Sequence, residues 1–348
     1  MQIPPLDTSL RDHYTEQLLK KAMLPHSLGA LARVAVDLAL ITEEPLKNPI
    51  HLLFAADHGI TAEGVTHSPQ KITYQQTRSF GQGGGACSLF ARLNGIEQWV
   101  IDVGVRHAFA PEDGVLDYKV AWGSENFASG PAMSETACAK ACGVGVQLVT
   151  KAHQAGKDLI IFGEMGVGNS SSASAVASAI LGCPASLVTG KGSGLSDSEL
   201  AHKVQVIENA LKRHTDRAPL AVLEAVGGLE IAAIVGGILG SAKLGLPILI
   251  DGAVVSSAAL VAAAMEPAVK DYLFFAHRSA MNGHVLMLDA LGCTHPLLDL
   301  GMQLGEGTGA LLAWPLLRAA SSLLGELASF EEAKVFDSTA GLQERGLL

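Results

Sequence analysis

Residues 50–59 read Ile-His-Leu-Leu-Phe-Ala-Ala-Asp-His-Gly, and this stretch predicts the fold. From Ile50 to Ala56 the run is apolar almost throughout and does not alternate. That pattern suits a strand covered on both faces, as in a parallel sheet. The run then gives way at once to Asp57-His58-Gly59, two titratable side chains and a glycine. Five further runs also read as strands, most of them continuous rather than alternating: Gln98 to Val103, Leu116 to Ala121, Asp158 to Phe162, Pro247 to Ile250 and Tyr272 to Ala276. Most of them end in polar, glycine-bearing loops, among them Asp102-Val-Gly104, Gly163-Glu164-Met-Gly166-Val-Gly-Asn169, Asp251-Gly252 and His277-Arg278-Ser279. In a parallel sheet such loops share the carboxyl edge, where α/β proteins bind ligands.

Helical stretches alternate with these runs: Pro131 to Lys151, Ser171 to Leu181, Gly228 to Lys243 and Thr308 to Leu324. The clearest helix start is Ser196-Asp-Ser-Glu199, a capping box. From it Leu200, Val204, Ile207 and Leu211 keep one apolar face as far as His214. The reading is an α/β fold with a layered, mostly parallel (Rossmann-like) six-stranded sheet flanked by helices. Residues 1–45 and 308–348 carry no strand. They predict a small helical subdomain from both chain ends, beside a large α/β domain over 46–307. The apolar helix Gly228 to Lys243 is expected to lie buried on the sheet.

Composition narrows the class. Among 348 residues, 34 Asp+Glu outweigh 24 Lys+Arg for a formal net charge of -10. That balance argues against a nucleic-acid binder, which needs clustered cations. Charged residues are 17%, aromatics 5% and glycines 38, a composition of tight helix packing and many turns. The longest uncharged run, Met165 to Gly190, holds Asn169, three serines from Ser170 to Ser172, and Pro184, so no membrane span is expected. The opening MQIPPLDTSLRDHYTEQ lacks the apolar core of a secretory signal. The five cysteines are scattered, so a reducing, cytoplasmic setting is expected.

Three glycine clusters invite chemistry. In the loop after Phe162, small residues let backbone amides approach an anion, with a helix N-terminus behind them. Gly190-Lys-Gly-Ser-Gly194 precedes the helix that carries Lys203. Either run is also compatible with simple tight turns, and neither matches an ATP P-loop or a dinucleotide fingerprint. In Leu304-Gly-Glu306-Gly-Thr-Gly309 a lone carboxylate sits between glycines. Partly desolvated, it would gain proton affinity and suit a base; solvated, it is only a loop residue. His58, His277, His284 and His295 match no zinc spacing, and no Gly-x-Ser-x-Gly elbow is present.

Several long motifs resemble one family. They are FAADHGITAEGVTHSPQKIT (54–73), NFASGPAMS (126–134), GEMGVGNSSSASA (163–175), GSGLSDSELAHKVQVI (192–207), VGGLEIAAIVGGILGSAKLGLPILIDG (226–252) and LGEGTGALLAWP (304–315). In order and over most of the chain they are similar to nicotinate-nucleotide–dimethylbenzimidazole phosphoribosyltransferase (CobT). The resemblance implies transfer of 5-phosphoribose from nicotinate mononucleotide to 5,6-dimethylbenzimidazole, giving α-ribazole 5'-phosphate with inversion at C1'. It implies Glu306 as general base, with Glu164 orienting substrate or assisting. Ser68, Gln76 and Met165 would line the benzimidazole site. Gly166, Gly190, Gly192, Gly194 and Lys203 would cradle phosphate, and Asn169, Asp251 and Ser279 would lie near ribose and nicotinate. It implies no metal and no bound cofactor, and a homodimer whose partner helps close the site.

The sequence departs from the pattern at Leu24-Pro-His-Ser-Leu-Gly29, where the family has Pro-Pro-Gly-Ser-Leu-Gly. Gln75-Gln76-Thr77 is polar for a pocket holding two methyl groups, so another benzimidazole, a phenol or a purine is a further acceptor to consider. Two other classes stay in view, an idle nucleotide-binding sensor and a nicotinate-nucleotide hydrolase. The intact Gly-Glu-Gly-Thr-Gly loop favours the transferase, because a sensor needs no base there.

Overall fold

The structure, a computed structural model, describes residues 3–192, 194–337, 339, 341 and 345. Six strands form one sheet: β1 (Pro49–Ala56), β2 (Glu97–Gly104), β3 (Val115–Asp117), β4 (Leu159–Met165), β5 (Ile248–Ile250) and β6 (Leu273–Phe275). Their order is β3-β2-β1-β4-β5-β6 and every pairing is parallel. The chain starts at the centre, builds one half outward, then returns beside β1 to build the other. The order therefore reverses between β1 and β4, and the crevice at a parallel sheet's carboxyl edge lies at that reversal.

Burial explains the unbroken apolar runs. All of β1 is buried, with Leu53 facing Val100 on β2 and Gly163 on β4. Helix Leu229–Lys243 is buried from Leu229 to Ala242, as its all-round apolar surface requires. It packs on the sheet, where Gly237 leaves room for the Phe162 ring, and on helix Glu135–Gln154.

Element ends differ modestly from the sequence expectation. The 131–151 helix starts at Glu135 because Ser134 caps it, its side chain accepting from the Ala137 amide at 3.1 Å. Strand β3 stops at Asp117 rather than Ala121. Beyond it only the Tyr118 and Val120 amides still bond to β2 carbonyls. The Ser196 capping box forms as read.

The chain divides into two compact units, Met1–Pro4 with Asn48–Leu312, and Pro5–Lys47 with Ala313–Leu348. The second is helical, with Tyr14, Leu18, Val36 and Ala39 in its core. No helix among the described residues is long and apolar enough to cross a membrane.

Glycines set the closest helix approach. A Cβ on Gly145 would strike the Ala233 carbonyl, and one on Gly236 would strike the Cys142 backbone, whereas Gly143 faces open space. Gly236→Ala is therefore expected to cost about 1–3 kcal/mol through overpacking. Gly143→Ala is expected to be neutral or stabilising by up to about 1 kcal/mol, because it lies inside a helix with room for the methyl group. Urea midpoints of the two variants check the contrast.

Candidate active site

Strand β4 ends in Glu164-Met165, still paired with Phe54 and Ala55 of β1. Glu164 is therefore held rigidly at the reversal point, and it is buried. Asn169, the first residue of the next helix, donates its side-chain amide to Glu164 Oε2. Burial holds the Glu164 carboxyl well above the usual carboxylate range. The charges of Glu230, Asp251 and Glu306 push it the same way, against a main-chain hydrogen bond from Glu306.

That main-chain bond leads to the loop above β4. Gly305, Glu306 and Gly307 take φ values of 84, 61 and 75°, three consecutive left-handed residues. A side-chain-bearing residue there is strained, a condition that clusters at functional sites. Gly305 has no room for a side chain, since a Cβ would strike Glu164 Oε1. The Glu306 amide reaches the same oxygen at 3.4 Å. The turn then runs into helix Thr308–Glu326, where Thr308 Oγ1 donates to the Gly305 carbonyl at 2.7 Å.

Glu306 is half-buried, and its Oε2 has no hydrogen-bond partner among the described residues. Burial raises its proton affinity and Asp251 adds to this, while Cys87 opposes. The Cys87 thiol is itself pushed up to about 12, by burial first and then by the Glu306 charge, so it stays protonated beside the carboxylate. A carboxylate in this state accepts a proton more readily than one in water.

Other groups at the edge are tied to one another. Asp251 Oδ1 accepts from the Ala310 amide at 3.0 Å, so it anchors the helix behind Glu306; the His277 Nε2 lies 3.5 Å from the same oxygen. Ser279 donates through its hydroxyl to the Met302 carbonyl, and its amide donates to His284 Nδ1 at 2.9 Å. His284 therefore carries its proton on Nε2, facing Ser256 Oγ at 3.0 Å. Beneath Glu164, fully buried His58 bridges Glu230 at 2.6 Å and Ser172 Oγ at 3.0 Å.

A cationic corner lies at the far end of the β4 loop. Gly168, at φ 97°, precedes helix Asn169–Leu181 without a side-chain cap. Lys203 Nζ donates to Ser170 Oγ at 3.0 Å and to the Gly190 carbonyl at 3.2 Å. It is 1% exposed and makes no ion pair with a carboxylate among the described residues. Burial lowers its pKa to about 8. Gly192 and Gly194, both exposed and at positive φ, border it, while Ser193 lies outside the described residues. A buried lysine beside a free helix N-terminus suits an anion such as phosphate.

The sequence-derived residues fall into three groups. Glu164, Gly166, Asn169, Asp251 and Glu306 gather at the edge of β4 and β5, with half-buried Met165 beside them. Gly190, Gly192 and Lys203 meet Ser170. Ser68 is half-buried with its amide on Thr66, Gln76 is exposed on helix Lys71–Gly81, and Ser279 is engaged in its own loop. Reading the sequence missed His51, Cys87 and Glu230. The signal for Glu230 was available, as a lone carboxylate within an apolar helix.

A phosphoribosyltransferase family profile matches residues 3–335. The chain is 42% identical over 338 residues to the nicotinate-nucleotide–dimethylbenzimidazole phosphoribosyltransferase of Dechloromonas aromatica, covering 95% of this chain and 97% of that one. It is 47% identical over 318 residues to the enzyme of the same name from Azotobacter vinelandii, covering 90% of each. The crystal structure of CobT from Thermus thermophilus matches with a TM-score of 0.91 at 39% identity, covering 94% of this chain and 99% of that one.

The buried lysine yields a stability prediction. Its depressed folded pKa penalises the charged form fully below about pH 8, and the penalty fades towards the unfolded value of 10.5. Lys203→Met is therefore expected to melt above the parent protein at pH 7, with the gap narrowing by pH 10. Inorganic phosphate should raise the melting temperature of the parent and leave that of the variant unmoved.

Proposed function

Because the chain belongs to the nicotinate-nucleotide–dimethylbenzimidazole phosphoribosyltransferase family, we propose that Glu306 is the general base of its reaction. The enzyme is a pentosyltransferase of the kind that makes the lower-ligand nucleotide of cobalamin. In this reading it moves 5-phosphoribose from nicotinate mononucleotide to 5,6-dimethylbenzimidazole. The observation that carries the reading is the Gly305–Glu306–Gly307 turn, which holds a half-buried carboxylate with raised proton affinity and an unpartnered oxygen.

The mononucleotide phosphate sits against Lys203 and the N-terminus of helix Asn169–Leu181, with Gly166, Gly190, Gly192 and Gly194 allowing close backbone approach. The azole lies beside Met165, with Ser68 and Gln76 towards its rim. Glu306 takes the N–H proton of the azole while the other ring nitrogen attacks C1'. Nicotinate departs from a cationic pyridinium, whose ring nitrogen takes back the C1'–N bond pair and becomes neutral, so its departure needs no general acid. Attack from the face opposite the leaving group converts β to α. The C1' centre gains positive charge as the bond breaks, and Asp251 at the same edge is placed to stabilise it. General-base help contributes about 10²–10⁴-fold, and positioning two bound substrates supplies much of the remainder.

The reading also includes a homodimer in the cytoplasm. Leu300 and Leu304, on the segment leading into the Glu306 turn, are 63% and 57% exposed, apolar surface that a partner would cover. Light scattering at twice the chain mass is the expected outcome.

Mass-spectrometric product analysis tests the chemistry. Purified protein with nicotinate mononucleotide is expected to form α-ribazole phosphate only when the benzimidazole is added. Glu306→Gln is expected to lower turnover by at least about 10²-fold while binding the mononucleotide normally. In the parent, turnover should rise with pH through an apparent pKa above the ordinary 4.5 of a glutamate, and this limb should vanish in the variant. Nicotinate released to water without acceptor would make the protein a hydrolase instead. Mononucleotide binding without turnover would make it a sensor.

A further inference from the structure

His51 lies within β1, fully buried in a strand that is apolar on both sides of it. It faces Gln98 on β2 in direct register, and the Gln98 amide donates to its Nδ1 at 3.1 Å. The ring is neutral, since burial lowers its pKa to about 4. With Nδ1 accepting, the single ring proton sits on Nε2. That atom is buried and has no hydrogen-bond partner among the described residues. A buried donor left unpaired is costly, so its presence in an otherwise apolar strand needs a reason.

The surroundings of Nε2 supply one. A Cβ on Gly307 would strike it, and so would a Cβ on Gly163, which would also come within 2.7 Å of the Glu306 carbonyl. Nε2 and the Glu306 carbonyl thus share the space above Gly163, and the Glu306 main chain is the one acceptor that raises the His51 proton affinity through a hydrogen bond. Asp251 raises it too, by charge. No element other than β1, β2, β4 and the turn is needed to define this contact.

We propose that His51 is a positioning residue for Glu306, presenting its Nε2–H to the Glu306 main-chain carbonyl and so setting the height of the strained turn over β4. Gln98 acts one step further back by fixing the tautomer. The proposal rests on the reading of Glu306 as the base, since His51 touches neither substrate nor reacting atoms. The strained Glu306 conformation has two fixed ends, Glu164 Oε1 on its amide and His51 on its carbonyl. Misplacement of a catalytic group by about an ångström costs on the order of 100-fold in rate, which sets the scale of the effect.

The test compares steady-state kinetics and melting temperature for His51→Leu, His51→Gln, Gln98→Met and Glu306→Gln, with nicotinate mononucleotide and 5,6-dimethylbenzimidazole. His51→Leu is expected to lower kcat about 10- to 100-fold with both KM values unchanged. His51→Gln, whose amide offers a donor near the Nε2 position, is expected to recover most of that loss, and Gln98→Met to fall between. In a Glu306→Gln background, His51→Leu should lower residual turnover no further. A fall in residual turnover there, or equal impairment of the Leu and Gln variants, would show a merely structural role and overturn the proposal. So would a kcat for His51→Leu within twofold of the parent. Should the Leu variant fail to fold, the His51→Gln and Gln98→Met comparison decides alone, with normal kcat in Gln98→Met counting against. Full activity in Glu306→Gln would overturn the base assignment instead, and is read separately.

Discussion

The turn Gly305–Glu306–Gly307 passes so close over β4 that a methyl group at Gly163 would meet both the His51 imidazole and the Glu306 carbonyl. Much of the catalytic edge depends on that approach. It needs glycine at 163, 305 and 307, and it obliges Glu306 to take a left-handed conformation. It also brings the Glu306 amide within reach of Glu164 and seats the following helix on Asp251. Hydrogen bonds from Thr308 to the Gly305 carbonyl within the turn, and from the turn and its helix to Glu164 and Asp251, hold the strain.

Close approach concentrates charge. Glu164 feels Glu230, Asp251 and Glu306 at once, which with burial drives its proton affinity up. Beside them, His58 hydrogen-bonds to Glu230 and His277 lies next to Asp251. Lys203 stays apart, buried without a carboxylate partner among the described residues at the far end of the β4 loop. The site is therefore uneven, with carboxyl groups crowded at the edge of β4 and a buried lysine at the far end of the loop. A substrate that carries a pyridinium at one end and a phosphate at the other matches that arrangement.

Much of this was legible in the sequence. The strand-like runs marked all six strands, the central ones such as β1 most plainly, because a strand buried on both faces cannot afford alternation. The Ser196 capping box marked a helix start within a residue. Glu306 stood out as a carboxylate among glycines, and motif resemblance identified the family. His51 and Glu230 were passed over because each sits in an apolar run that reads as core. Periodicity identifies the face a residue occupies, and it carries no information on what lies across from it. Cys87 was invisible for the same reason, being one of five scattered cysteines until the fold set it beside Glu306.

The sequence by itself determined the class of fold, the alternation of strand and helix, the family, and the candidate base and phosphate residues. The fold class and the alternation follow from local patterns, since hydrophobic period and capping chemistry act over a few residues, while the family and the candidate residues rest on the resemblance of its motifs. Only the tertiary structure decided which loops meet, which carboxylates share one field, and which glycines are obligatory because another backbone lies against them. Gly143 and Gly145 occupy the same helix, yet one faces open space and the other a carbonyl. Proton affinity and strain are likewise properties of neighbours brought together through space, and such neighbours are distant in sequence: Glu164 and Glu306 lie 142 residues apart.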